Sequence, residues 1–163
     1  MIKLKDILNE STSGRSIKEI PQDELNKINK DLYDIISSWI LTSLNATSER
    51  QSLGEKMNGI EIPSEYKKVP TEYLYRAKKK GAPPPTQKYV SYSYDYSGAM
   101  KMKGWLKKIF GIKDEDLEII GKPVSSVDVL ICIPVFLRLT KPSTGRKFEA
   151  LWKSEKEVIV KSR

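Results

Sequence analysis

Histidine is missing from the 163-residue sequence altogether, and cysteine occurs once, at Cys132. Without imidazole there is no Ser-His-Asp or Cys-His nucleophile, no His-ligated zinc and no histidine general base. A single thiol cannot build a Cys-rich zinc site or an intramolecular disulfide. Cys132 itself lies in the most apolar stretch of the chain and reads as a small core residue. Long apolar runs are lacking too, none approaching the roughly 18 residues of a membrane span. The N-terminal MIKLKDILNE is amphipathic, but its charges interrupt the apolar segment that a signal peptide needs. A cytoplasmic protein with no membrane partner is the expectation. There is no P-loop and no G-x-G-x-x-G, so a Rossmann-type nucleotide site is excluded as well. Chemistry, if present, has to run on carboxylates, hydroxyls and cationic side chains, with no metal.

What the chain does have is positive charge and aromatics. Lys and Arg total 29 against 21 Asp and Glu, a net +8, and a hydrophobic fraction of 39% includes eight Tyr, three Trp and three Phe. The length and apolar content suit one globular domain with a proper core. The charge favours phosphates or acidic partners and says nothing about fold.

Residues 1–22 read as a leader, either a docking segment or a flexible tail, the S-T-S-G-R stretch breaking a short apolar stripe. A domain over 23–163 follows. Its first element is an amphipathic helix over 23–44, capped by Asp23 or Gln22, with Leu25, Ile28, Leu32, Ile35, Ile36, Trp39 and Ile40 at helical spacing. Its apolar stripe is expected to pack on a sheet supplied by the C-terminal half. Residues 48–68 read as a polar connector with a short helical turn. Strands are predicted at Glu72–Arg76 and Lys88–Tyr94, separated by Lys78-Lys79-Lys80-Gly81 and the prolines from Pro83 to Pro85. The two-residue period sets Val90, Tyr92 and Tyr94 on one face of the second strand and Tyr89, Ser91 and Ser93 on the other. A helix is predicted after Gly98, ending near Gly111. An apolar strand is predicted over Val127–Leu139, interrupted by Pro134, then a polar loop, then a final strand from Glu155 to Val160.

Taken singly, Arg76, Ser91, Ser93, Glu155 and Glu157 are ordinary polar residues of solvated strands and edges. Their order is less ordinary. Y-L-Y-R-A, Y-V-S-Y-S and S-E-K-E-V-I-V place an Arg at the end of one strand, a Ser-x-Ser in the next and a Glu-x-Glu opening a later one. In this constellation the sequence resembles the mono-ADP-ribosyltransferases of the Arg-Ser-Glu class, over roughly residues 23–163. The lack of histidine fits that class and not the diphtheria-toxin-like one, which uses a His in place of the Arg.

The resemblance implies an α+β fold, with N-terminal helices packed on a mixed or antiparallel β core of two small sheets around an NAD cleft. It implies NAD as co-substrate and transfer of ADP-ribose to an arginine of a target protein, with release of nicotinamide. A planar guanidinium suits bidentate diphosphate recognition, which gives Arg76 its role. Cleaving the N-glycosidic bond builds positive charge on the ribose, as in glycoside hydrolysis, and Glu157 is the carboxylate assigned to stabilise it. Ser91 would orient Glu157, and Ser93 would support the strand. Where the family often has Gly after the arginine, this chain has Ala77, whose backbone N–H and C=O would still meet the nicotinamide amide. Glu155, two residues before Glu157, would share its side of an extended strand and orient or deprotonate the acceptor. Glu at that position resembles the arginine-modifying members. The loop from Gly145 to Ser154 resembles their substrate-recognition loop, with Trp152 either contacting the acceptor or packing in the core.

The resemblance also suits a monomeric phage enzyme acting in the host cytoplasm, or a secreted toxin-like effector. Two other features stay open. Lys78 to Lys80 could help hold phosphate or form a nucleic-acid patch, though a solvated turn is the plainer reading. The competing function is a non-enzymatic one, a basic module that binds nucleic acid or an acidic protein, or a structural protein keeping a transferase-like fold.

Overall fold

A computed structural model describes residues 14–42, 47–83, 85–142 and 155–163. The chain divides into two compact units, one running to Lys68 and the other from Val69 to Arg163.

In the first unit, α1 (Gln22–Leu41) buries Leu25, Ile28, Leu32, Ile36 and Trp39, the stripe that the helical spacing predicts. Neither Asp23 nor Gln22 caps it. Pro21 occupies the N-cap position with no side-chain bond, its fixed φ being compatible with a helix start. The segment expected as a polar connector holds a full helix, α2 (Thr47–Asn58), of 12 residues. Its apolar content is low, and it packs against α1, so tertiary contact rather than amphipathicity stabilises it. A turn over Ser64–Lys67 follows, where the buried Tyr66 hydroxyl donates to Asn29 Oδ1 at 2.7 Å. The expected leader is tied down from Arg15 onward. Arg15 bridges Glu61 and Glu24 at 2.6 Å each, and Glu65 accepts from Ser16 Oγ and the Ile17 N–H.

The second unit is a five-stranded sheet of order β3-β1-β2-β5-β4, with every described pairing antiparallel. Its strands are β1 (Tyr73–Lys79), β2 (Tyr89–Ser93), β3 (Leu117–Pro123), β4 (Asp128–Cys132) and β5 (Glu157–Lys161). The α+β class therefore stands, while the described strands form one sheet where two were expected. The join is thin. β1 pairs along its whole length with β3, but meets β2 at the single pair Tyr75 and Ser93.

β1 runs through Lys78 and Lys79, where the lysines had been expected to end it. Pairing with Glu118 and Leu117 carries it on, and Lys78 forms an ion pair with Glu118 at 2.6 Å. The apolar run at 127–139 is not one strand. It splits into β4 and α4 (Ile133–Thr140), with Pro134 in the helix's first turn, where its missing N–H costs nothing. Between β2 and β3 comes α3 (Tyr96–Phe110), which begins two residues ahead of Gly98 and closes on Gly111, in the left-handed region at φ 63°.

One face of the sheet carries Leu74, Val90, Tyr92, Val158 and Val160, packed with Val127, Cys132 and Val135. α3 packs on β1, β3 and β2, where Tyr96 meets Tyr75 edge-on with ring centroids 5.8 Å apart. No helix among the described residues is long and apolar enough to cross a membrane. Burial pushes the Cys132 thiol up to about 11. Cys132 should therefore resist a disulfide-exchange reagent at pH 8 until the domain unfolds. Labelling at a rate independent of denaturant would contradict its burial.

Candidate active site

Three of the five strands bring the polar residues together. Tyr94 N–H donates to Lys156 O at 3.1 Å, and Ser162 N–H to Lys88 O at 2.7 Å. The even-numbered residues of β2 therefore exchange backbone bonds with β5, and the odd ones, Ser91 and Ser93, turn theirs toward β1. On the side-chain side, Ser93 lies opposite Glu157 and Ser91 opposite Ile159. Opposite residues share a face, so Ser91, Ser93 and Glu157 lie on the one away from the Leu74 cluster.

The Ser91 hydroxyl donates to Glu157 Oε1 across this diagonal. Both are nearly sealed from solvent, at 4% and 5% exposure. A buried carboxylate is costly unless hydrogen-bonded, and a bond to a charged group contributes about 1.5–3 kcal/mol. The hydroxyl thus fixes the position of Glu157's acceptor oxygen.

Arg76 reaches the same serine from the other strand. On β1, Lys80 N–H donates to Asp116 O and Val124 N–H to Glu72 O, at 2.8 and 2.9 Å. Even residues therefore bond β3, and Ala77 directs its N–H and C=O toward β2, opposite Ser91. Backbone pairing between the strands is limited to Tyr75 and Ser93. Across the gap beyond it, Arg76 Nη1 donates to the Ser91 carbonyl at 2.6 Å. Ser91 is thus the meeting point, its carbonyl engaged by Arg76 and its hydroxyl by Glu157. By the two-residue period Arg76 emerges on the Leu74 face, opposite to Glu157, and its guanidinium turns in between the strands.

Tyr92 sits beside that guanidinium. Burial raises its phenol pKa, and the Arg76 charge opposes the rise. Lys122, which the sequence reading passed over, lies opposite Leu74 and holds its ammonium 5.7 Å from the Tyr92 ring. Arg76 and Lys122 therefore bring two cations to the Tyr92 side of the sheet. The signal for Lys122 was the β-forming run Leu117–Ile120 before it, unread as a strand. Lys78, by contrast, is engaged by Glu118 and by the Ala82 carbonyl at 2.8 Å.

Ser93 serves the framework. Its hydroxyl donates to Asp95 O at 2.8 Å and accepts from Asp95 N–H at 3.2 Å. Asp95 in turn caps α3 through Ser97 N–H at 3.0 Å and accepts from Lys156 Nζ at 2.5 Å. Glu155 does not share a strand side with Glu157. Lys156 between them has φ 50°, a left-handed turn that breaks the alternation on which that expectation rested. β5 starts only at Glu157. The Glu155 carbonyl instead abuts α3, since a Cβ at Gly98 would stand 2.3 Å from it and 2.1 Å from Ser93 Oγ. Trp152 and the expected recognition loop lie outside the described residues.

Among the described residues no three His, Cys, Asp or Glu side chains gather as a metal-binding group. No protein-family model matches the chain, and no curated protein or solved structure is significantly similar to it.

Two outcomes test this framework. Gly98→Ala should destabilise the domain by about 1–3 kcal/mol in denaturant titration, because the new methyl meets backbone at 2.3 Å. An unchanged midpoint would mean that α3 does not rest on Ser93 and Glu155. The Asp95–Lys156 pair sets a pH signature. Asp95 is held below its ordinary 3.8 by Lys156 and the Ser97 N–H, so its contribution is complete above that value and lost as pH falls through the depressed one. Lys156 is raised above 10.5 by Asp95, so its share is complete below that value and lost at higher pH. The stability gap between wild type and Asp95→Asn should be flat at neutral pH and narrow at both extremes.

Proposed function

We propose that the protein transfers ADP-ribose from NAD to an arginine of a target protein, releasing nicotinamide. The observation that carries the reading is the double engagement of Ser91, which sets a buried carboxylate and a guanidinium on either side of one residue. In the transfer, the C1′–N bond to nicotinamide breaks and its electron pair leaves with the nicotinamide nitrogen. A bond forms from C1′ to a guanidino nitrogen of the acceptor, whose proton passes to a carboxylate or to solvent.

Each residue then has a task suited to its chemistry. Glu157, fixed by the Ser91 hydroxyl, stabilises positive charge as it develops at C1′. Because the hydrogen bond exists before substrate arrives, no reorganisation is needed at the moment of reaction. Arg76 meets the diphosphate, for which a permanently charged planar fork is suited, and Lys122 adds charge on the Tyr92 side of the sheet. The Ala77 N–H and C=O, turned toward β2, supply the donor and acceptor that a carboxamide requires. Glu155, beyond the turn at Lys156, is assigned to the acceptor guanidinium rather than to the sugar.

The experiment is nicotinamide release by the pure protein, with and without an arginine acceptor. Glu157→Gln should lower it by about 10²–10³-fold, with the fold intact by circular dichroism. Glu155→Gln should spare NAD hydrolysis while suppressing transfer. A wild-type protein as silent as Glu157→Gln at saturating NAD would end the enzyme reading, and joint loss of both activities in Glu155→Gln would end the division of labour.

A further inference from the structure

α3 carries an outer face that neither the sheet nor the catalytic proposal uses. From Tyr96 to Lys113 the sequence has five lysines and no Asp or Glu. Lys103 and Lys107 both pair with Asp114 at 3.3 Å. Among the described residues, Lys101, Lys108 and Lys113 lie within ion-pair distance of no carboxylate. Lys101, Trp105 and Ile109 stand four residues apart, with Lys108 beside them, so they form one ridge along the helix. Trp105 is 42% and Ile109 53% exposed, and the Lys108 ammonium lies 5.6 Å from the Trp105 ring.

Scattered exposed apolar residues need no explanation. A ridge in which apolar groups alternate with unmatched cations is different, because it has a complement: an acidic surface with aliphatic or aromatic groups between its carboxylates. Lysines would meet phosphates too, but Trp105 is the ridge's one aromatic and Ile109 offers no flat face for a next base, so a run of stacked bases fits it less well than an acidic surface with apolar groups.

The position of the ridge says what such a partner would do. The start of α3 touches the site, Gly98 resting on Ser93 and the Glu155 carbonyl. At 1.5 Å per residue, Trp105 and Ile109 lie about 10 and 16 Å further along the helix. We infer that the Lys101–Trp105–Lys108–Ile109 ridge docks an acidic, apolar-containing surface of the acceptor protein, so that the arginine modified is one lying beside such a surface. The inference rests on the proposed transferase reading for its role, but not for the binding itself.

The test uses the full chain and synthetic peptides. One peptide carries a single arginine joined by a short Gly-Ser spacer to a segment of Asp, Glu and Leu. Its counterpart has Lys for every Asp and Glu. The wild type should modify the acidic peptide with kcat/KM about 10-fold higher or more, and the preference should fade at high salt. Lys101→Glu combined with Lys108→Glu should erase the preference while turnover of agmatine, a small acceptor that cannot span the ridge, is unchanged. Trp105→Ala should weaken acidic-peptide binding, read by fluorescence anisotropy without NAD, again about 10-fold.

Equal use of the two peptides, or a preference that survives the double substitution, overturns the inference. So does tighter binding of single-stranded RNA or of phosphatidylglycerol vesicles than of the acidic peptide through the same two lysines. The two readings fail separately. Peptide binding that the double substitution abolishes, in a protein releasing no nicotinamide, removes the enzyme and keeps the surface. Nicotinamide release with no peptide preference does the reverse.

Discussion

A carboxylate inside a sheet is an expense that the surrounding structure must offset, and Glu157 is such a carboxylate. It survives burial because the Ser91 hydroxyl faces it across the β2–β5 ladder. That single bond requires the register of two strands, the alternation of β2 and the placement of β5 between β2 and β4. Slipping the register by one residue would turn Glu157 onto the face of Leu74, Tyr92 and Val158, away from the Ser91 hydroxyl. The polar pair therefore specifies the sheet as much as the sheet presents the pair.

A second constraint lies where strand alternation stops. Asp95, Lys156 and Gly98 join the end of β2, the start of α3 and the entry to β5 within a few ångströms. Asp95 serves two partners, the helix terminus at Ser97 and the ammonium of Lys156. Both favour its ionised form, one through the helix dipole and the other by direct charge. The left-handed turn at Lys156 separates Glu155 from Glu157 in direction although they are neighbours in sequence. Two carboxylates with different surroundings can then take different chemical tasks, which a straight strand would make harder.

Legibility in the sequence followed the physics of each element. α1 could be read because its stripe is strongly periodic from Leu25 to Trp39, and β2 because Val90, Tyr92 and Tyr94 alternate with serines. The α2 helix could not, since its sequence carries hardly any apolar face and depends on α1. β3 was missed because Glu118 and Lys122 bracket only a brief apolar run whose role is set by its partner β1. The 127–139 stretch misled for a plain reason: apolar residues in series do not reveal whether they are strand or helix, and Pro134 was a helix start rather than a break. At the site, the residues that meet at Ser91 could be named from spacing and resemblance, but not how Arg76 reaches it, which depends on where β1 and β2 part. The turn at Lys156 carried no sequence signal at all, lysine being an unusual occupant of that region.

Strand order has a consequence for the protein's life before it is folded. β5 is synthesised last of the five strands, yet lies between β2 and β4. While it is still within the ribosome, β2 and β4 each present an unpaired edge, and Ser91 has no carboxylate to meet. The β3–β1 ladder and α3 can assemble earlier, from segments nearer in sequence, but the centre of the sheet closes only through long-range contacts, the slow kind. A nascent or truncated chain is therefore a partner for other strands before it is anything else. The Ser91–Glu157 pair, on this topology, forms in the same step that hides those edges.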